Sequence, residues 1–237
     1  MAVTVIQGTG VSMQMATNRS VGQRQASAAE AQLARIGLEG CVRHSHLDAL
    51  LESSGRNAGR DLADAIHLLC SLHGRYPGLI EIALQRSVDG PVRDWLSRAS
   101  EAFERERLYL VRLTAGVGPI PSTPGAAETE SSLLAARHAL ETLAMSERNG
   151  CALGSATALV GDWWPIRRLL DRAASRAGIE CPAPSLPDEA SIISTIDSMG
   201  DGMAATRALA FGGEQLLLQH RALFDLLEAR AQAREDF

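Results

Sequence analysis

Residues 91–116 read PVRDWLSRASEAFERERLYLVRLTAG, and the spacing of their apolar members decides the fold class. Wound as a helix, Val92, Trp95, Ala99, Ala102, Phe103, Tyr109, Leu110 and Leu113 fall on one stripe, the mark of an amphipathic helix packed on a core. Glu106 falls in the middle of that stripe, where a leucine would be expected. An ionised carboxylate inside a packed core needs a partner, a proton or a metal. Arg43, Arg75, Arg112 and Arg137 are the arginines the sequence offers as partners.

The same period runs outward in both directions. Upstream, residues 28–52 carry Leu33, Ile36, Cys41, Leu47 and Leu51 on one side, together with His44, and Gly37 and Gly40 predict a break. After the turn SSGRNAG a helix from about Asp61 places Leu62, Ile66, Leu69 and Cys70 on a stripe with His73. Pro77-Gly78 should interrupt it. Downstream of a Pro-rich elbow (VGPIPSTPG), residues 128–147 predict a helix with Leu133, Ala136, Leu140, Leu143 and Ala144 inward and Glu147 close to that side. Asn149-Gly150 marks a bend. Cys151, Gly154, Ser155 and Ala158 then make a smooth face, suited to a closely approaching backbone or a flat ligand. Asp162 is expected to cap a further helix, with Pro165 in its first turn. After the connection GIECPAPSLPD, a last long helix carries Leu216, Leu217, Leu223, Phe224 and Leu227 with His220 among them, and hinges are expected at Gly200–Gly202 and Gly212-Gly213.

These patterns predict an all-α, single-domain helical bundle of six or seven helices over residues 28–233. Residues 1–27 are polar and without periodicity, so they read as a disordered tail, and Met13 or Met15 serves equally well as a start. The opening VTVIQGTG is no dinucleotide fingerprint, because Met13 takes the place of the third glycine.

Composition removes several functions. The 237 residues carry a net charge of −5, with all 23 positive charges on arginine. An acidic chain argues against a general nucleic-acid binder, and a chain without lysine has no lysine-bearing phosphate loop. No window approaches a membrane span, and no secretory signal is visible, so the expected address is the cytoplasm. Cys41, Cys70, Cys151 and Cys181 lie far apart, without zinc spacing, and read as buried thiols in a reducing compartment. There is no G-x-S-x-G elbow.

What remains is a set of ionisable groups on apolar stripes: His44, His73, Glu106 and His220, each from a different helix, with Glu147 and Asp162 able to complete a shell. Helical bundles build metal and cofactor sites from such inward side chains, and imidazole with carboxylate suits non-haem iron, manganese or zinc. A haem with one imidazole ligand is the related reading. A structural polar network is the simpler one. The Glu-x-x-His signature of di-iron bundles is imitated only by Asp64 and His67.

The segments LLCSLHGRYPGLIE (68–81), ERLYLVRLTAGVGPIPSTPG (106–125) and RHALETLAMSERNGCALGSATALVGDW (137–163) resemble an uncharacterised alphaproteobacterial protein family, which implies a bacterial helical domain and no particular chemistry. HSHLDALL (44–51) and GCALGSATALV (150–160) resemble the first and covering helices of the haem-oxygenase-like fold. That likeness implies His44 or His46 as an iron ligand. The favoured expectation is a non-catalytic helical protein acting through a protein partner or self-association as a homo-oligomer, supported if Trp163-Trp164 form an exposed patch. A metal- or haem-dependent oxidoreductase and a small-molecule binder are the alternatives.

Overall fold

The 91–116 run forms the helix its spacing predicts, and every stripe residue from Trp95 to Leu113 is buried, Glu106 included. The computed structural model describes residue 1 and residues 26–200 and 202–235. Among these residues the chain is all-α, and no helix is long and apolar enough to cross a membrane. The helices are α1 (Ala28–Glu39), α2 (Ser45–Glu52), α3 (Ala58–His73), α4 (Leu79–Arg86), α5 (Pro91–Gly116), α6 (Ala126–Ala144), α7 (Cys151–Ala177), α8 (Glu189–Ser198) and α9 (Met203–Glu235). A single 3-10 turn, Cys41–Arg43, joins α1 to α2.

Nine helices among the described residues exceed the six or seven expected, because three of the expected breaks separate helices, one of them between α8, which ends at Ser198, and α9, which begins at Met203. Gly40 ends α1 in an extended conformation, and α4 restarts at Leu79 after Tyr76-Pro77-Gly78, where Glu81 Oε2 accepts the Gly78 N–H at 2.7 Å. The expected tail, 1–27, and the Met13 and Met15 starts lie almost wholly outside the described residues.

Two expected breaks do not occur. Helix α7 runs unbroken through Pro165. Proline removes one rung of the ladder, but Trp163, Ile166, Leu169 and Leu170 are all fully buried on either side of it, so packing holds the helix together through the defect. Asp162 is therefore not a cap but an interior residue of α7. Gly212-Gly213 is likewise no hinge: both lie inside α9. Their role is contact. A Cβ on Gly212 would collide with the Cys151 carbonyl, and one on Gly154 with the Leu209 carbonyl. The smooth face of α7 thus receives the backbone of α9, and this is the most extensive helix pairing in the molecule.

Helix α7 is the axis on which the rest is arranged, touching each of the other helices described. One cluster of buried apolar side chains spans all nine helices. Trp163 is fully buried and Trp164 is 38% exposed, so the expected tryptophan patch does not form. Cys41 and Cys151 are buried thiols as expected, Cys70 is half-buried, and Cys181 is exposed on the proline-rich connection.

Candidate functional site

His73 is the last residue of α3, aligned with Leu62, Ile66 and Leu69 on the buried face. His220 sits in the stripe of α9 between Leu217 and Leu223. The two imidazoles meet at right angles with Nε2 atoms 3.1 Å apart. On its other side His220 Nδ1 lies 2.7 Å from Asp162 Oδ2, and Asp162 Oδ1 accepts the Cys41 N–H at 2.8 Å. Asp162 and His220 are at most 1% exposed and His73 is 6% exposed.

The bonds assign the protons. A carboxylate only accepts, so with both rings neutral the His220 proton lies on Nδ1 and its Nε2 offers a lone pair. His73 must then donate from Nε2, which leaves a lone pair on its Nδ1. No group among the described residues bonds that Nδ1. The chain of bonds reads Cys41 N–H, Asp162, His220, His73, and it ends in an open acceptor.

Charge is expensive at this end. Burial, then His220 and the Arg107 guanidinium, hold His73 well below the usual imidazole range. Burial and then Asp162 push the Cys41 thiol well above its usual value, so Cys41 is an inert partner. For His73 the linkage sign follows directly. Its contribution to stability is complete above the unfolded histidine value of about 6.5 and is lost as pH falls toward the lower folded value, because the unfolded chain takes up the proton first. The melting temperature of the wild-type protein should therefore drop between pH 7.5 and pH 5.5, and that of His73→Gln should drop less. Equal slopes in thermal melts would show that His73 titrates normally.

Glu106 faces a second set across Trp163. The Trp163 indole packs edge-on to His73 with ring centroids 5.3 Å apart, and its Nε1–H donates to Glu106 Oε2 at 3.1 Å. Glu106 Oε1 accepts from Arg167 Nη1 at 2.6 Å. The partner is thus Arg167, four positions beyond Trp163 on α7, and none of the four arginines expected. Arg167 also donates from Nε to Asp171 at 2.8 Å and from Nη2 to the Pro182 carbonyl, and lies 4.7 Å from the Tyr109 ring centroid. Tyr109 completes the set, its hydroxyl donating to Asp171 at 2.9 Å. Burial lifts the Glu106 carboxyl above its usual range, against the pull of Trp163 and Arg167.

The other two expected members lie elsewhere. Glu147 follows the end of α6 and is exposed, 3.8 Å from Arg86, because α6 stops at Ala144 and the chain turns outward. His44 caps α2, accepting the His46 N–H on Nδ1 at 3.2 Å, while Nε2 lies 3.0 Å from Asp225 on α9. His46 is buried, and desolvation lowers its pKa below the usual imidazole range. His44, Asp225 and Glu228 are close enough to share an ion. The bonds oppose it: Nδ1 accepts a backbone proton, so the neutral ring carries its own proton on Nε2, where a metal would need a lone pair.

Two buried ion-pair sets escaped the sequence reading. Asp64, fully buried, accepts from Arg230 Nη2 at 2.8 Å and from Arg234, and Arg234 also reaches Asp61 at 2.7 Å. The signal was present as acids three apart on α3 and arginines four apart on α9. Arg107, 6% exposed, pairs through Nη2 with Glu81 at 2.8 Å, yet its Nε and Nη1 are buried without a partner.

A cavity of about 30 Å³ opens beside His73, lined also by Arg75, Gly78, Phe103, Arg137 and Glu141. A cleft of about 510 Å³, also lined by Arg137, lies between α3, α6, the α5–α6 connection and Arg230 of α9. Its walls combine Leu68, Ile120, Pro121 and Leu133 with the hydroxyls of Ser71 and Ser122. Arg137 lines both spaces; it has no carboxylate partner among the described residues, and its Nε is buried and unbonded.

No curated protein and no solved structure matches this chain. A family profile does match, over residues 36–235, and it takes in every helix from the end of α1 to the end of α9. The chain belongs to DUF6975, a family of unknown function.

Proposed function

We propose that the protein binds a small amphipathic organic anion, its apolar body in the 510 Å³ cleft and its charged head on Arg137. The observation that carries this reading is the state of Arg137. Arg137 is half-buried, with its Nε buried and unbonded and no acidic partner among the described residues, so its guanidinium is free to take an anion where it lines the cleft. The cleft falls in the size range of small-molecule sites and mixes apolar walls with a few hydroxyls, as such sites do. Glu130 lines the cleft and Glu141 the small cavity, so the head should be compact enough to reach the guanidinium without meeting either carboxylate.

The metal and haem readings find less support in the donors. Both oxygens of Glu106 are bound to Trp163 and Arg167, and both nitrogens of His44 are engaged. His73 and His220 offer two facing nitrogens, but no third His, Cys, Asp or Glu among the described residues joins them within ligand reach.

The test is calorimetric titration with hexanoate, and with phenyl phosphate to separate carboxylate from phosphate recognition. Hexanoate should bind the wild-type protein, and Arg137→Gln should weaken it roughly tenfold to a hundredfold, the worth of a charge-assisted hydrogen bond. Unchanged affinity in Arg137→Gln would remove the proposed head-group site.

A further inference from the structure

His73, whose Nδ1 has no bonded partner, and Arg137, which has no carboxylate partner among the described residues, line the same 30 Å³ cavity, which has room for one or two water-sized groups. We infer that this cavity is an acid–base site, where an anion held by Arg137 is taken up with one proton, carried by His73 and shared through His220 with Asp162. The inference rests on the anion-binding reading above and assigns the chemistry of its inner end.

The proton path balances within the chain of bonds already described. A proton from solvent or ligand is accepted at His73 Nδ1. The proton on His73 Nε2 then passes across the 3.1 Å gap to the lone pair of His220 Nε2. His220 becomes the imidazolium, and its Nδ1–H already points at Asp162 Oδ2, 2.7 Å away. Asp162 is fixed in turn by the Cys41 N–H on its other oxygen, so the acceptor does not move as charge arrives. His73 alone could not hold the charge in this setting, but a carboxylate at the far end of the relay can compensate it.

The groups facing His73 decide when that happens. From α9 comes His220, and from α7 Asp162 stands behind it. From α5, Arg107 opposes protonation, although Glu81 of α4 offsets one end of it. Glu106 is shielded behind Trp163 and tied to Arg167. Across the cavity stand Arg75 before α4, and Arg137 and Glu141 on α6. The cations outnumber the acids on the cavity side, so the free site keeps His73 neutral. An anion on Arg137 reverses the local balance and draws in the proton.

Calorimetry with hexanoate in two amine buffers of different ionisation enthalpy measures the proton directly. Near neutral pH, uptake should approach one proton per hexanoate, and affinity should weaken about tenfold per pH unit above the bound-state value. His73→Gln should bind hexanoate with no uptake and a flat pH profile. Side-chain 15N spectra of histidine-labelled wild-type protein supply the measurement that needs no variant. Free protein should show His73 Nδ1 without a proton and His220 Nδ1 with one, and hexanoate should protonate both nitrogens of one ring. Binding without uptake, or a protonated His73 Nδ1 in the free protein, would overturn the acid–base site and leave the anion site standing. No binding heat at any pH would overturn both.

Discussion

Gly154→Val should lower stability by roughly 3 kcal/mol or more, toward the upper end of overpacking effects. The reason is what the new side chain would meet. A Cβ at this position collides with the carbonyl oxygen, carbonyl carbon and Cα of Leu209, all backbone atoms of α9. A flexible side chain could swing away; a helix backbone can yield only by moving the whole element. The strain would spread, because the same two helices carry Asp162 opposite His220, and the Gly154 carbonyl accepts Gln32 Nε2 at 2.9 Å. For a domain of this size the melting temperature should fall by about 6–12 °C. Gly154→Ala separates sterics from propensity. Alanine gains about 1 kcal/mol over glycine in a helix, yet the first Cβ already collides, so this variant should also be destabilised. Gly37, inside α1, is the control, because a Cβ there would meet nothing within 4 Å. Gly37→Ala should raise stability by about 0.5–1 kcal/mol. Thermal melts that rank Gly154→Ala beside Gly37→Ala would mean that α7 and α9 are not in backbone contact.

The glycine face shows how much of the fold was legible. Helical period and the small residues of 151–158 were readable locally, since each depends on neighbours one to four positions away. Which backbone fills the face depends on Leu209 and Gly212, some 55 positions later, and no local pattern carries that. Gly212-Gly213 read as a hinge for the same reason: a glycine pair looks identical whether it frees a backbone or admits one. Pro165 misled in the opposite way, because its cost is local while the burial that overrides it comes from helices distant in sequence. In the candidate site, turning Glu106, His73 and His220 inward was legible from apolar spacing, whereas Asp162 read as a helix cap. Their pairing was not. His73 meets His220 across 147 positions, and Glu106 reaches past every arginine expected of it to Arg167. Glu147 failed because a residue just beyond a helix end inherits the helix phase on paper but not in space. Arg137 carried no anomaly at all, since a surface arginine and one that lines a cleft occupy the same flank of a helix.

Glu106→Leu should cost about 3–5 kcal/mol, the loss expected when one member of a buried ion pair is removed. Leucine suits the stripe of α5, so the loss would come from what is left behind. Arg167 would keep Asp171 and the Pro182 carbonyl but lose its buried carboxylate, and the Trp163 Nε1–H would face no acceptor. Glu106→Gln retains an oxygen for one of the two donors and should cost less, about 1–3 kcal/mol. The pH dependence of that smaller loss tells which force governs the pair. Arg167 is raised despite its burial, by Asp171 and then Glu106, so it stays charged throughout and the titrating partner is Glu106. Because burial raises the Glu106 carboxyl, the native state holds its proton more tightly than the unfolded chain does. Its favourable contribution is therefore complete below the unfolded carboxyl value of about 4.3 and declines as pH rises through the higher folded value. Glutamine does not titrate, so the deficit of Glu106→Gln should be larger at pH 4 than at pH 7 in denaturant melts. A deficit that grows with pH would show attraction to Arg167 outweighing desolvation, and would make the pair a net source of stability in its ionised form.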